Sequence, residues 1–400
     1  MMQRSSTLMF LRPATVAVAF VAFTGIATAQ QAAQLAAQKK QDKLVHLNQI
    51  QVIGSHNSYH SGFAPNERKF LEQKSPKTLR ALDYGHAPLD HQLSGGVRQI
   101  EIDIFADPQG GSFAHPAIVR QMAAAGLPAD PDFDPNHELD KPGFKVMHVQ
   151  DLDERSTCHT FVACLTTVRT WSKQNPRHLP IFILVETKEG APKDMPYAVK
   201  AEPFTAALFD AMDTEIRSVF QSNEIITPDE VRGNSVSLAD AVHAGNWPTL
   251  AKARGRIVFL MDQAHVGPTY TAGHPGLKGR IAFTNATAGA PDAAFIEQNG
   301  NTKAEIDSLV QQGYLVRTRS DEPTEQARTN DTTRRDITLT TGAQMISTDY
   351  PSSEPASWSG YSVGLPGGFV ARCNPVNKPA ACVDSLLEPA PASAPARAGK

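Results

Sequence analysis

Eight apolar runs, each only as long as a strand, recur along the chain at 51–54, 98–105, 144–149, 180–186, 256–262, 280–284, 314–317 and 343–348. Short runs rich in Val, Ile, Leu and Phe read as strands buried on both faces. Between several of them, at 164–174, 204–220, 302–312 and 325–341, stand stretches of helical spacing or strong helix formers, with cap-type residues at Asn301, Thr302 and Asp321. Strand alternating with helix predicts an α/β fold, a (β/α)8 TIM-type barrel of parallel strands. The alternative is a doubly wound open sheet, but no Gly-x-Gly-x-x-Gly turn follows the first run. The connection 106–143 is rich in Pro and Asp with little helical pattern, so the barrel is expected to be irregular between its second and third strands.

The flanks differ from this middle. In residues 1–29, Arg4 and Arg12 precede the apolar run 14–26, and small residues follow at Ala27-Thr28-Ala29. This is the pattern of a cleavable signal peptide, and the run is short for a membrane span. Export to the periplasm or medium implies an oxidising compartment. The four cysteines fall into two close pairs, Cys158 with Cys164 and Cys373 with Cys382, which predicts two small disulfide loops. Residues 30–45 read as a flexible polar lead and 388–400, rich in Pro, Ala and Ser, as a disordered tail. That leaves 46–387 as a single domain. A net charge of −3 with no broad basic patch gives nucleic-acid binding no support, and nothing implies an obligate protein partner.

Chemistry shows where the runs end. The first hands over at Gly54-Ser55 to His56 and Asn57, and the second carries Glu101-Ile102-Asp103, whose alternation puts both carboxylates on one face. The third ends at His148, the fourth at Glu186 with Lys188 two residues on, and the seventh at Arg317 and Arg319. Each has a structural explanation: Glu101 and Asp103 pairing with Arg98 or Arg317, Glu186 with Lys188, His148 with a core carbonyl. As a set they point elsewhere. Asn57, Glu101, Asp103 and Glu186 are all oxygen donors, which suits Ca2+ or Mg2+ and disfavours zinc. Two histidines and nearby cations around such an ion describe a site for a phosphate ester.

The wording Gly54-Ser-His-Asn-Ser-Tyr59, Gln99-Ile-Glu-Ile-Asp103, His148, Glu186 and Ser347-Thr-Asp-Tyr-Pro351 resembles the secreted, calcium-dependent bacterial phosphoinositide-specific phospholipases C, over most of 46–352. The resemblance implies Ca2+, rather than Mg2+, on Asn57, Glu101, Asp103 and Glu186. It also implies His56 and His148 as acid and base, in an order it leaves open, with Lys188 and Arg317 as phosphate contacts and Arg319 and Arg335 as weaker ones. The implied reaction releases diacylglycerol and a cyclic inositol phosphate at a membrane surface. Two alternatives remain: a periplasmic phosphodiesterase for glycerophosphodiesters, whose usual His-Arg-Gly is His56-Asn57-Ser58 here, and a non-catalytic binding barrel. His60, His86, His91, His115 and Asp349 are expected near the site in supporting places, with His115 the rival to His148. Phe63, Phe70, Leu71 and 122–127 are the available lipid-facing rim.

Overall fold

The computed structural model describes residues 31–193, 195 and 197–389. The expected signal peptide and residues 390–400 lie outside these. The strands are β1 (Ile50–Ser55), β2 (Gln99–Phe105), β3 (Lys145–Val146), β4 (Ile181–Lys188), β5 (Ile257–Met261), β6 (Phe295–Glu297), β7 (Leu315–Arg319), β8 (Met345–Thr348) and β9 (Ala371–Cys373). Seven of them run in the order β5-β4-β2-β1-β8-β7-β6, every neighbouring pair parallel. Between β5 and β6 the segment 281–285 makes parallel bridges, Leu260 to Phe283 and Asn285 to Phe295, which nearly close the ring. The result is the expected α/β barrel.

Its eight staves are not the eight apolar runs. The run 144–149 is no parallel stave: β3 folds back antiparallel on β2, pairing Ile104 with Val146 and Phe105 with Lys145. A parallel return needs a crossover long enough to traverse the sheet, usually a helix. The connection 106–143 supplies only the short helix Ala117–Ala124 within irregular chain. The missing stave is β6, three residues too short to stand out as a run.

Helices form where the pattern and caps agree. Thr160, Thr205 and Thr302 accept from backbone N–H groups at the starts of Phe161–Gln174, Ala206–Val219 and Lys303–Gln311. The expected helix 325–341 is instead two pieces, Glu325–Thr329 and Thr333–Leu339, because Asn330 turns left-handed at φ 55° and stops the first. Both disulfides form, Cys158 to Cys164 and Cys373 to Cys382. Among the described residues no helix is long and apolar enough to cross a membrane.

Two expectations about the flanks change. The lead is helical over 31–41, and its end is docked: buried Asp42 pairs with Arg254 at 2.8 Å and Arg177 at 3.2 Å. Glu388, placed by composition in the tail, belongs to the body, where it pairs with Arg98 and accepts from Leu179 N–H. The apolar residues offered as a lipid-facing rim are also largely spent. Phe70, Leu71 and Met122 are buried against Leu79 and Ile118.

Candidate active site at the barrel mouth

β1 stops at Ser55, and the chain after it is tied down to β2. Ser58 N–H donates to Glu101 O at 3.0 Å, and Glu101 N–H donates to Ser58 Oγ at 2.8 Å. Asn57, at φ 45°, takes the left-handed turn that this close return demands, a conformation asparagine tolerates better than most residues. Its Nδ2 donates to the Tyr84 hydroxyl at 2.8 Å, while its Oδ1 is buried with no hydrogen-bond partner. On β2, Glu101 and Asp103 point inward together, as their spacing predicts. Asp103 lies opposite Glu186 in the β2–β4 register. One carboxylate oxygen from each of Glu101, Asp103 and Glu186 lies within 4.8 Å of the others.

The cations stand closer to these acids than expected of phosphate contacts. Lys188 Nζ bridges Asp103 at 2.8 Å and Glu186 at 2.9 Å. Arg317, fully buried, divides its guanidinium between Glu101 at 2.5 Å and Glu297 at 2.7 Å. Of the pairings the sequence allows, Glu101 with Arg317 and Glu186 with Lys188 are made, while Asp103 takes Lys188 and Arg98 turns to Glu388, and the acids are clustered as well. Burial pushes the carboxyls of Glu101 and Asp103 up to about 7, against the pull of Arg317 and Lys188 respectively. For Lys188 burial opposes the charge, but Asp103 and Glu186 outweigh it and hold the ammonium protonated.

Beside the acids are two imidazoles, each backed by an aspartate. His56 Nδ1 meets Asp349 Oδ1 at 2.7 Å, leaving Nε2 facing Glu101 at 3.5 Å. Asp349 is itself held by Arg319 at 3.1 Å. Burial, followed by Arg319, Arg317, His148 and His86, drives the His56 pKa well below the usual value, so the ring is neutral. His148 Nδ1 meets Asp153 Oδ2 at 2.9 Å, and His60 Nε2 meets the other oxygen at 2.8 Å. His56 and His148 keep 19% and 14% of their side chains exposed, whereas His60 is sealed.

The other expected neighbours separate clearly. His86 bonds Glu354 and the His56 carbonyl, bracing the loop from below. His91 and His115 are exposed, and the rival to His148 stays out of the cluster. Arg335 bonds Asp336 and the Ser362 carbonyl. Asp153, Glu297 and Tyr84 were not read from the sequence. Asp153 lies five residues past His148 in an acidic turn, a local signal that was available. Glu297 sits on the one stave too short to recognise.

The donor set fits a hard cation. It is wholly oxygen: three clustered carboxylates, one of them, Asp103, taking Lys188 Nζ at 2.8 Å, and an Asn57 Oδ1 that is buried without a hydrogen-bond partner. An acid cluster at the carboxyl ends of parallel barrel strands, with aspartate-backed histidines beside it, is an arrangement that could hold a hard cation and act on a phosphate ester. The family model described as phosphoinositide phospholipase C, Ca2+-dependent, matches residues 45–375, and the chain belongs to that family. It is thus a phosphoric diester hydrolase of the calcium-dependent phospholipase C type. Among solved structures, the calcium-dependent phosphoinositol-specific phospholipase C of a Gram-negative Pseudomonas sp. (apo form, crystal form 2) is similar at 14% identity and a TM-score of 0.50, covering 83% of this chain and 96% of that one. The Ca2+-dependent phosphatidylinositol-specific phospholipase C of Streptomyces antibioticus is 16% identical with a TM-score of 0.46, covering 76% and 95%. At its identity the Pseudomonas likeness is one of fold. No curated protein matches the sequence.

Proposed function

We propose that the protein cleaves phosphatidylinositol at the diacylglycerol–phosphate bond, with the inositol 2-hydroxyl as nucleophile, outside the cytoplasm, where its two disulfides are at home. The observation that carries this reading is the meeting of Glu101, Asp103 and Glu186 within 4.8 Å beside the neutral, aspartate-backed His56. Asn57, Glu101, Asp103 and Glu186 would hold Ca2+, which when bound offsets the charge on the phosphate's non-bridging oxygens.

The residues divide the proton transfers. His56, held neutral with Nδ1 on Asp349, has Nε2 free to take the 2-hydroxyl proton as that oxygen bonds phosphorus. His148, its Nδ1 on Asp153, presents Nε2 to protonate the departing diacylglycerol oxygen as the P–O bond breaks. The products are diacylglycerol and a 1,2-cyclic inositol phosphate. Attack and departure occur on opposite faces of phosphorus, so two separately anchored imidazoles suit it. Lys188 and Arg317 tune the acids, and any contact they make with phosphate follows a change of partner.

The test is cleavage of phosphatidylinositol vesicles with phosphorus NMR of the products, titrated with Ca2+ and Mg2+. Cyclic phosphate formed with Ca2+ and lost on chelation supports the reading. Activity confined to soluble glycerophosphoinositol overturns it in favour of a glycerophosphodiester phosphodiesterase.

A further inference from the structure

Asp153 belongs to none of the motifs that define the family resemblance, yet its carboxylate is held on both oxygens at the mouth. Its two oxygens are divided between two imidazoles, Oδ1 to His60 at 2.8 Å and Oδ2 to His148 at 2.9 Å. The backbone holds all three residues. His148 N–H and Val149 N–H donate to Asp153 O at 3.2 and 3.1 Å, and Asp153 N–H donates to Val149 O at 2.8 Å, closing a tight turn. On the other side, His60 N–H donates to Asn57 O at 2.8 Å, so the loop that carries His56 and Asn57 also carries His60. The His60 ring is sealed, edge-on to Tyr84 at 4.7 Å and to His148 at 5.5 Å between centroids.

We infer that His60 and Asp153 act together as a clamp that aims His148 Nε2 at the leaving oxygen, with His60 a positioning residue that touches no substrate. This rests on the reading of His148 as the general acid. A carboxylate bonded through one oxygen can swing about its Cβ–Cγ axis. Bonded through both, with one oxygen anchored on the sealed His60 ring, it fixes the plane and tautomer of the imidazole it orients. Burial works against the charge on Asp153, but His60 and then His148 outweigh it and hold the carboxyl well below its usual range. The three ligand-type atoms also lie within 4.8 Å of one another, the spacing of a metal triad. His60 Nε2 and His148 Nδ1 are already satisfied by Asp153, however, while His60 Nδ1 is buried without a partner, so the two nitrogens that face the carboxylate need no ion.

Leaving-group chemistry tests the clamp. Protonation matters for an alkoxide leaving group and little for nitrophenolate, so a defect in aiming the acid shows as a difference between two substrates. Calcium-saturated enzyme would be assayed on a soluble short-chain phosphatidylinositol and on the p-nitrophenyl ester of inositol phosphate. His148→Ala calibrates the readout. His60→Phe, which keeps a ring but loses the donor, and Asp153→Asn are expected to lower kcat on the lipid about 10- to 100-fold, at least tenfold more than on the nitrophenyl ester. His60→Gln, whose amide can donate to Asp153, should regain most of the lipid rate. Equal losses on both substrates for His60→Phe and Asp153→Asn, with His148→Ala discriminating, overturn the clamp. If His148→Ala itself fails to discriminate, the assignment of the acid falls instead. Should His60→Phe not fold, His60→Leu, which also lacks the donor, carries the same comparison beside Asp153→Asn and His60→Gln.

Discussion

Asp103 on β2 and Glu186 on β4 stand opposite each other at one level of the barrel, and a single ammonium, Lys188 Nζ, holds both, at 2.8 and 2.9 Å. Without it, two carboxylates face each other in a buried place. Removing one partner of a buried pair costs about 3 kcal/mol or more. Lys188→Met is therefore expected to lower the melting temperature in chelator and to show a larger Ca2+-induced rise than the parent. Calorimetric melts with and without Ca2+ would check this, and an unchanged Ca2+ response would contradict it.

Glu186 is the most accessible of the three clustered acids, so its amide variant disturbs the interior least. Glu186→Gln should reduce kcat on the order of a hundredfold or more and raise the Ca2+ concentration needed for half-maximal rate. The measurement is a Ca2+ titration of lipid cleavage beside a thermal-shift titration. A rate loss with normal Ca2+ binding would remove Glu186 from the ligand set.

His56 depends on Asp349 for its tautomer. Asp349→Asn can place an amide N–H where the carboxylate accepted, moving the ring proton to Nε2 and removing the base. A fall in kcat of about a hundredfold or more, with KM little changed, is expected, as where an asparagine replaces the orienting aspartate of a triad. Steady-state kinetics on a soluble substrate decide it.

Beneath the acids the barrel is tight. A Cβ on Gly54 would lie 1.8 Å from Gln99 Oε1, 2.6 Å from its Cδ and 2.9 Å from its Cβ. Gly54→Ala should cost about 2 to 3 kcal/mol by overpacking, read from the denaturant midpoint. Adding Gln99→Ala, which removes the two nearest atoms, should recover part of it.

His178, buried between Ser172 Oγ and the Leu179 carbonyl, has its pKa lowered to about 4 by burial, with Arg98 and Arg254 adding to the effect. The unfolded chain titrates this ring near 6.5. Between about 4 and 6.5 the unfolded state thus binds more protons, and this group's contribution, complete above 6.5, is lost as pH falls through that window. The loss amounts to about 3 kcal/mol. Denaturant unfolding of His178→Gln across pH 4 to 7 should show a shallower acid loss than the parent. Identical slopes would refute the assignment.

Much of the site was legible because strand geometry is local. Glu101 and Asp103 share a face since alternation in a strand is set by the backbone, and residues at strand ends reach one mouth in any parallel barrel. Of the cap-type residues read from the sequence, Thr302 caps its helix within one turn of itself, whereas Asp321 stands outside the helix that Thr324 begins. What failed was non-local. The run 144–149 has the composition of a buried stave, but strand direction depends on the connection before it. β6, three residues long, offers no run to recognise. Glu297 has no pattern of its own, since it acts through Arg317 on another element, and Asp153 carries only the weak local signal of an acidic turn after His148.

The amino-acid sequence by itself determined the barrel, the acid and imidazole positions on it, and the two disulfide loops. Each follows from periodicity or from neighbours close along the chain. Only the tertiary structure decided which partner each charge takes: Arg317 with Glu101 and Glu297, Lys188 between Asp103 and Glu186, His60 behind Asp153. A buried charge settles on the opposite charge that packing brings within about 3 Å, and that distance is set by the closing of the barrel.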